Sequence, residues 1–438
     1  MNAVKRIMAL LLLVSALLTL SACAGVEVDE LYSLPRFSEE HLQLENLIDE
    51  EIAGGCEYYA PTSGSYRQSV QMVDLDGDGQ QEAIAFFQTP ESMLKICIYR
   101  ADGGEEFTLA ETVDGEGSAI RSIEYADMDA DGFTELIIVW QISSDLRMLK
   151  AYSLKSWHAS VLLSADCTEL LVADMDGDGG SELMTIQPDY SGEGTVTMYK
   201  LGADSEMESS SVQMSRGLTR MTRIRTGGLS DGGTGLFIES EYEGGLYATE
   251  VFALSEGKLR NLTVSAVSGS TRMLRACSVY STDIDNDRVL EVPSANRLYS
   301  QSETSSTYWM LDWYSLDSGG KMARDMSTYH CFSDGWYFVL SDTMRRSLTV
   351  RRADSVSGER VVVLSSVDTA TGEITDLLEI CTLTGENRRD RAKASGRFML
   401  QEGNSAIYAA RIIDDSLTQE NVRKSFRLIY TEWMTGAV

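Results

Sequence analysis

The sequence predicts an all-β chain, a β-propeller of seven blades with six as the alternative, flanked by short helices at both ends. Three observations predict it. A nine-residue acidic loop is written four times, three of the copies run into a short apolar strand-like segment, and the copies recur with a regular period. That period, roughly 40 to 55 residues, is the length of one four-stranded blade. Only five prolines interrupt the 438 residues, which suits a chain made mostly of paired strands.

The loops begin at Asp74, Asp127, Asp174 and Asp283, in steps of 53, 47 and 109 residues. Acids stand at positions 1, 3, 5 and 9 of each: Asp74, Asp76, Asp78 and Glu82; Asp127, Asp129, Asp131 and Glu135; Asp174, Asp176, Asp178 and Glu182; Asp283, Asp285, Asp287 and Glu291. Position 6 is Gly79, Gly132 and Gly179 in three copies and Arg288 in the fourth. Carboxylates at alternate positions of a tight turn converge on one point and repel one another unless a cation lies among them. An all-oxygen donor set in a flexible loop suits hard Ca²⁺, not zinc or copper. The pattern is not an EF-hand, which closes on a bidentate Glu at position 12 and enters a helix. Here position 12 is Ala85, Ile138, Thr185 or Ser294, and the segments that follow, such as Leu136 to Trp140, read as strands. The long last step spans two periods and predicts a decayed copy at Gly227 to Gly235, ahead of the strand Leu236-Phe237-Ile238.

In loop and period the sequence resembles the FG-GAP/VCBS repeat family, the calcium-loop propellers that include the integrin α-subunit head. The resemblance implies that the loop joins the first two strands of a blade. It also implies that side chains at positions 1, 3, 5 and 9 hold Ca²⁺ with the carbonyl at position 7. Those carbonyls would be Gln80, Phe133, Gly180 and Val289. Three to four structural Ca²⁺ sites follow, with the fourth the weakest because Arg288 replaces glycine. The resemblance covers residues 65 to 300 well and the rest by strand pattern alone.

Residues 1–22 read as a signal peptide: Lys5 and Arg6 precede an apolar core, Ile7 to Leu18, too short for a comfortable membrane span. Leu20-Ser21-Ala22-Cys23 matches the bacterial lipoprotein lipobox, which implies cleavage before Cys23 and diacylglycerol on its thiol, with palmitate among the acyl chains. An acidic linker (23–36) and an amphipathic helix (37–55) follow. Leu44, Leu47, Ile48 and Ile52 line one face of that helix, and Gly54-Gly55 stop it. The propeller then occupies 56–413, and 414–438 is a C-terminal helix (Ser416 to Tyr430) and tail. Blades start near Gln68, Ile120, Thr168, Thr219 and Leu274. Trp336 to Ser341 opens a sixth, and Arg397 to Gln401 with Ala406 to Ile413 supply part of a seventh, which a strand near Glu57 to Ala60 would complete.

Net charge is −30 and becomes −32 once residues 1–22, with Lys5 and Arg6 and no acid, are removed. Such a surface repels nucleic acid and anionic lipid head groups. Six cysteines remain after Cys23, spaced too widely for a CxxC metal or redox site; export permits disulfides without establishing one. Cys97, in an apolar run, reads as a core residue.

Catalytic constellations are sparse. His41, His158 and His330 lie in different units with no metal-ligand spacing. Gly228-Leu229-Ser230-Asp231-Gly232 matches the G-x-S-x-G elbow in letters, but that motif requires a helix after it, and the repeat period explains the segment as the decayed loop. Trp309 and Trp313 share one strand face and are the candidate ligand-stacking residues, with packing between blades as the plainer role. The sequence thus predicts an exported lipoprotein, anchored to the bacterial cell membrane through Cys23. Its calcium-stabilised propeller would bind a protein or glycan without catalysis. The alternative is a polysaccharide lyase or hydrolase on the same scaffold.

Overall fold

A computed structural model describes residues 39–102, 106–202, 206–265, 267–299, 308–353 and 356–429. The expected signal peptide, Cys23 and the acidic linker lie outside the described residues. No helix among the described residues is long and apolar enough to cross a membrane. The chain divides into two compact units, one from the N-terminus to Gly115 without 61–67 and 75–77, the other comprising those two segments and everything from Glu116 onward.

In the first unit, α1 (Glu39–Ala53) ends at Gly54-Gly55. Gly55 takes a left-handed turn at φ 95° and donates its N–H to the Ile52 carbonyl. The sheet comprises β1 (Glu57–Tyr58), β2 (Val70–Val73), β3 (Glu82–Gln88), β4 (Leu94–Asp102) and β5 (Glu106–Asp114). Leu44 and Ile48 of the helix bury against Ala83, Ala85, Phe87, Cys97 and Tyr99 of β3 and β4. The helix therefore packs on the sheet through the apolar face its spacing predicts. Lys95 and Glu51 pair at 2.7 Å at the rim of that contact. β1 pairs with β3 of its own sheet, Glu57 opposite Gln88 and Tyr58 opposite Phe87.

The second unit carries five more antiparallel sheets. The first three are four-stranded meanders in chain order. They are β6 (Ala119–Ala126), β7 (Glu135–Gln141), β8 (Arg147–Ser153) and β9 (Ser160–Asp166); β10 (Glu169–Ala173), β11 (Glu182–Gln187), β12 (Thr195–Leu201) and β13 (Met207–Gln213); and β14 (Leu218–Gly228), β15 (Thr234–Tyr242), β16 (Leu246–Ser255) and β17 (Lys258–Asn261). In each, the second strand is buried almost throughout, Leu136 to Trp140 being apolar and buried along its whole length, whereas the last strand alternates or is exposed. A continuous apolar run needs cover on both faces, and neighbouring sheets supply it. Met184, Ile186 and Val196 of one sheet pack on Leu236, Ile238 and Phe252 of the next.

The fifth sheet is β18 (Val292–Arg297), β19 (Trp309–Leu316), β20 (Met322–Cys331) and β21 (Trp336–Val339). After α2 (Asp342–Ser347), the sixth contains β22 (Leu348–Arg352), β23 (Glu359–Val367) and β24 (Ile374–Thr384). It is completed, beyond α3 (Arg388–Arg391), by β25 (Phe398–Glu402) and β26 (Ala406–Ile412), with β26 beside β24. The last described elements are α4 (Gln419–Ser425) and β27 (Phe426–Leu428), and β27 adds to the fifth sheet beside β21.

The fold is thus nearly all-β, a succession of six blade-like sheets among the described residues. Several expectations are corrected here. Trp336 to Val339 belongs to the fifth sheet, not a sixth, and the strands expected of a seventh blade complete the sixth sheet. The strand near Glu57 stays in its own sheet. Residues 274–282 form single bridges where the fifth blade was expected to start with a strand. The C-terminal helix stops at Ser425, because Phe426 leaves it to bury beside Trp336, ring centroids 5.8 Å apart.

Candidate metal centres

Each acidic loop closes a hairpin with one register. The position-9 glutamate is paired with the residue just before position 1: Val73 with Glu82, Ala126 with Glu135, Ala173 with Glu182. In the fourth loop the same relation survives as a single bridge, Thr282 with Glu291. The glutamate therefore enters from the far strand toward the aspartates on the turn.

One hydrogen-bond frame shapes all four turns. The position-1 carboxylate accepts the N–H of position 6: Asp74 from Gly79 at 3.0 Å, Asp127 from Gly132 at 2.8 Å, Asp174 from Gly179 at 3.1 Å and Asp283 from Arg288 at 2.9 Å. The position-5 carboxylate accepts the N–H of position 7: Asp78 from Gln80, Asp131 from Phe133, Asp178 from Gly180 and Asp287 from Val289, at 2.7 to 2.9 Å. Positions 4 and 6 are left-handed in every copy, and Arg288, φ 76°, occupies the place that Gly79, Gly132 and Gly179 hold at 88° to 96°. The arginine therefore does not break the loop, although its backbone sits where L side chains are strained.

Three of the four expected carboxylates gather in each loop, and Glu82, Asp131, Asp178 and Asp287 stand outside these groups. Oxygens of Asp127, Asp129 and Glu135 lie within 4.8 Å of one another, as do those of Asp174, Asp176 and Glu182, of Asp283, Asp285 and Glu291, and of Asp74, Asp76 and Asp78. Glu82, Glu135, Glu182 and Glu291 are all buried. Burial, reinforced by neighbouring aspartates, pushes the Glu135 carboxyl up to about 7 and Glu291 to about 8; Glu182 moves in the same direction. Asp285 is raised too, by burial and then by Asp287 and Asp283. Most telling is Glu135, which is 0% exposed with one oxygen lacking any hydrogen bond. A buried anion with an unsatisfied oxygen is costly unless a cation completes it. The donor set is all oxygen, so the residues present fit Ca²⁺.

Two side chains missed at the level of sequence stand at these centres. Lys155, just after β8, places its Nζ 2.8 Å from Asp129 and 2.6 Å from Asp131. Lys200 on β12 pairs with Asp176, Asp178 and, at 3.5 Å, Glu182. Burial works against ionising Asp131, yet the Lys155 ammonium and the Phe133 N–H hold its carboxyl below the ordinary range. Lys200, then the Gly180 N–H, do the same for Asp178. A register signal could have found Lys200: it follows Tyr199, which pairs with Leu183 directly after the loop.

The other candidates separate. Trp313 is wholly buried, donates its indole N–H to Thr328 at 2.7 Å and packs on His330, so it is corrected from a ligand-stacking residue to a core residue. Trp309 is half-buried at the start of β19. The six cysteines after Cys23 are free thiols, and Cys97 is buried as expected. Gly228 ends β14 and Leu229 to Gly232 turn toward β15, with Asp231 accepting the Ser318 N–H at 3.0 Å. A strand, not a helix, follows Ser230, so the elbow geometry is absent there.

Comparison with curated proteins finds no match. Among solved structures, a putative 6-phosphogluconolactonase from Bacteroides fragilis is 11% identical, over 73% of this chain and 92% of that one, at TM-score 0.26. The periplasmic gluconolactonase of Pseudomonas aeruginosa is 11% identical over 74% and 95%, at TM-score 0.29. A putative 6-phosphogluconolactonase from Bacteroides uniformis is 12% identical over 73% and 94%, also at 0.29. At such scores neither their architecture nor their activity transfers to this chain. Residues 74–138, the span from the first acidic loop through the second, match the sequence profile of the FG-GAP-like repeat. The chain carries an FG-GAP-like repeat.

Proposed function

We propose that the protein is a cell-envelope lipoprotein whose sheets are stapled by Ca²⁺ and serve as a non-enzymatic binding scaffold for a protein or glycan. The observation that carries the reading is the buried Glu135 carboxylate with its unpartnered oxygen, set in a loop whose hydrogen-bond frame recurs four times. Bound there, Ca²⁺ would supply positive charge to the carboxylates at positions 1, 3, 5 and 9. It would thereby tie the two strands of each hairpin together and stabilise the folded chain by mass action. Extracellular calcium modules bind with dissociation constants of roughly 0.1–1 mM, so such sites fill outside the cell. The lipobox at Cys23 supplies the anchor in this reading.

For the ligand, the cleft of about 410 Å³ beside the fourth loop is the favoured place, since Asp283 and Asp285 share its wall with Lys424 and Arg427. Mixed charge of this kind suits a hydroxyl-rich or anionic group.

The test has two arms. The chain without residues 1–23 is immobilised and offered bacterial envelope glycans and envelope proteins, with calcium and with EDTA. Calcium-dependent retention weakened by Arg427→Ala supports the scaffold. Release of unsaturated or reducing-end products puts the lyase or hydrolase reading in its place. Labelled palmitate should enter the wild-type chain and not Cys23→Ser.

A further inference from the structure

The second and third acidic loops contain a cation of their own. Lys155 Nζ lies 2.6 to 2.8 Å from carboxylate oxygens at positions 3 and 5 of its loop, and Lys200 contacts positions 3, 5 and 9 of the next. These carboxylates belong to the set that would hold Ca²⁺, so ammonium and metal compete for the same oxygens. The ammonium does not finish the job. Glu135 Oε1 and Glu182 Oε1 stay without a hydrogen bond although both residues are at least 99% buried. One positive charge among four carboxylates leaves a deep, anionic position open to a divalent ion.

The fourth loop differs at the corresponding place. Tyr199, opposite Leu183, is followed by Lys200; Tyr314, opposite Val292, is followed by Ser315, whose N–H donates to Asp325 at 2.8 Å. Among the described residues no lysine or arginine pairs with Asp283, Asp285, Asp287 or Glu291. This loop is the internal reference for the other two.

We propose that Lys155 and Lys200 are built-in competitors of the metal: each ammonium holds its loop together when calcium is scarce and must leave the carboxylates when calcium binds. Resting on the calcium reading above, this makes the second and third sites fill at higher calcium than their carboxylates alone would require, while the loops keep their shape without it.

The experiment uses the full chain in detergent, with Lys155→Met and Lys200→Met, which keep an apolar stem of similar length, and Lys155→Arg and Lys200→Arg, which keep the charge. Calcium is titrated by calorimetry, and melting is followed in EDTA. Each Met variant should tighten calcium at one site by roughly tenfold, the scale of one unit charge at contact distance near a protein surface. Each should also melt lower than wild type in EDTA, and the Arg variants should stay near wild type in both. Unchanged or weaker calcium binding in the Met variants, with wild-type uptake intact, overturns this inference alone. No calcium uptake by the wild-type chain overturns it together with the reading beneath it.

Discussion

Glu135 accepts the Met128 backbone N–H at 2.9 Å through one carboxylate oxygen and leaves the other buried and unpartnered. The first half of that relation recurs, Glu182 with Met175 at 2.7 Å and Glu291 with Ile284 at 2.9 Å. Position 9 is thus pinned to position 2, and its free oxygen is aimed by the hairpin, not by chance. Replacing Glu135 with Gln should therefore split the two states. In EDTA the variant should be at least as stable as wild type, since a buried anion is gone. With calcium it should bind one ion fewer. Thermal melts and calorimetry on the same preparations check both.

The left-handed residue at position 6 can be probed from either side. A Cβ added to Gly132 meets nothing within 4 Å, so Gly132→Ala should cost only the backbone strain of φ 91°, about 1–2 kcal/mol. Arg288→Gly should move the other way, a gain of up to about 1 kcal/mol, tempered by glycine's freedom in the unfolded chain. Urea unfolding of both variants measures the pair.

The segment that fails to form a first strand for the fifth sheet is held instead by charge. Arg275 and Glu239, each about 1% exposed, pair at 2.8 Å. Glu239 also accepts from Thr249 at 2.6 Å and from the Ser281 N–H at 2.6 Å, while Arg275 donates to the Val279 carbonyl at 2.9 Å. Arg275→Met strands a buried carboxylate and should cost about 3–5 kcal/mol. Adding Glu239→Gln should recover part of that loss, so the double variant falls short of the summed singles. Equilibrium unfolding of the full cycle decides it.

His330 makes one contribution to the pH dependence, opposite in sign to that of the raised Glu135 and Glu291 carboxyls. Burial lowers its value from 6.5 to about 3, and Trp313, Phe332 and Tyr337 surround the ring. The unfolded chain takes up a proton as pH falls through 6.5 and the folded chain refuses it until about 3, so stability is lost across that window. The loss from this group should reach about 2 kcal/mol by pH 5. His330→Phe should flatten the slope between pH 7 and 5 by that amount.

What the sequence made legible was local. The loop register, the apolar second strands and the Leu44–Ile48 face follow from spacing alone, because each depends on residues a few positions apart. Sheet membership does not. Trp336 to Val339 reads as a strand in either neighbour, and only its pairing with Thr328 to Cys331 assigns it to the fifth sheet. The end of the chain was ambiguous for a similar reason: Val422 and Phe426 fit one helical face, yet both reach the same core with Phe426 already in a strand. Lys155 and Lys200 stayed hidden because their partners lie about twenty residues or more away in the chain.

Whether the acidic loops are metal sites is read directly by calcium titration by calorimetry, paired with melts in EDTA, millimolar Ca²⁺ and millimolar Mg²⁺. The chain should bind three or four calcium ions, with a melting temperature that rises with Ca²⁺ and hardly with Mg²⁺. A chain that binds no calcium, or responds equally to magnesium, would contradict this, leaving the four loops as plain acidic turns.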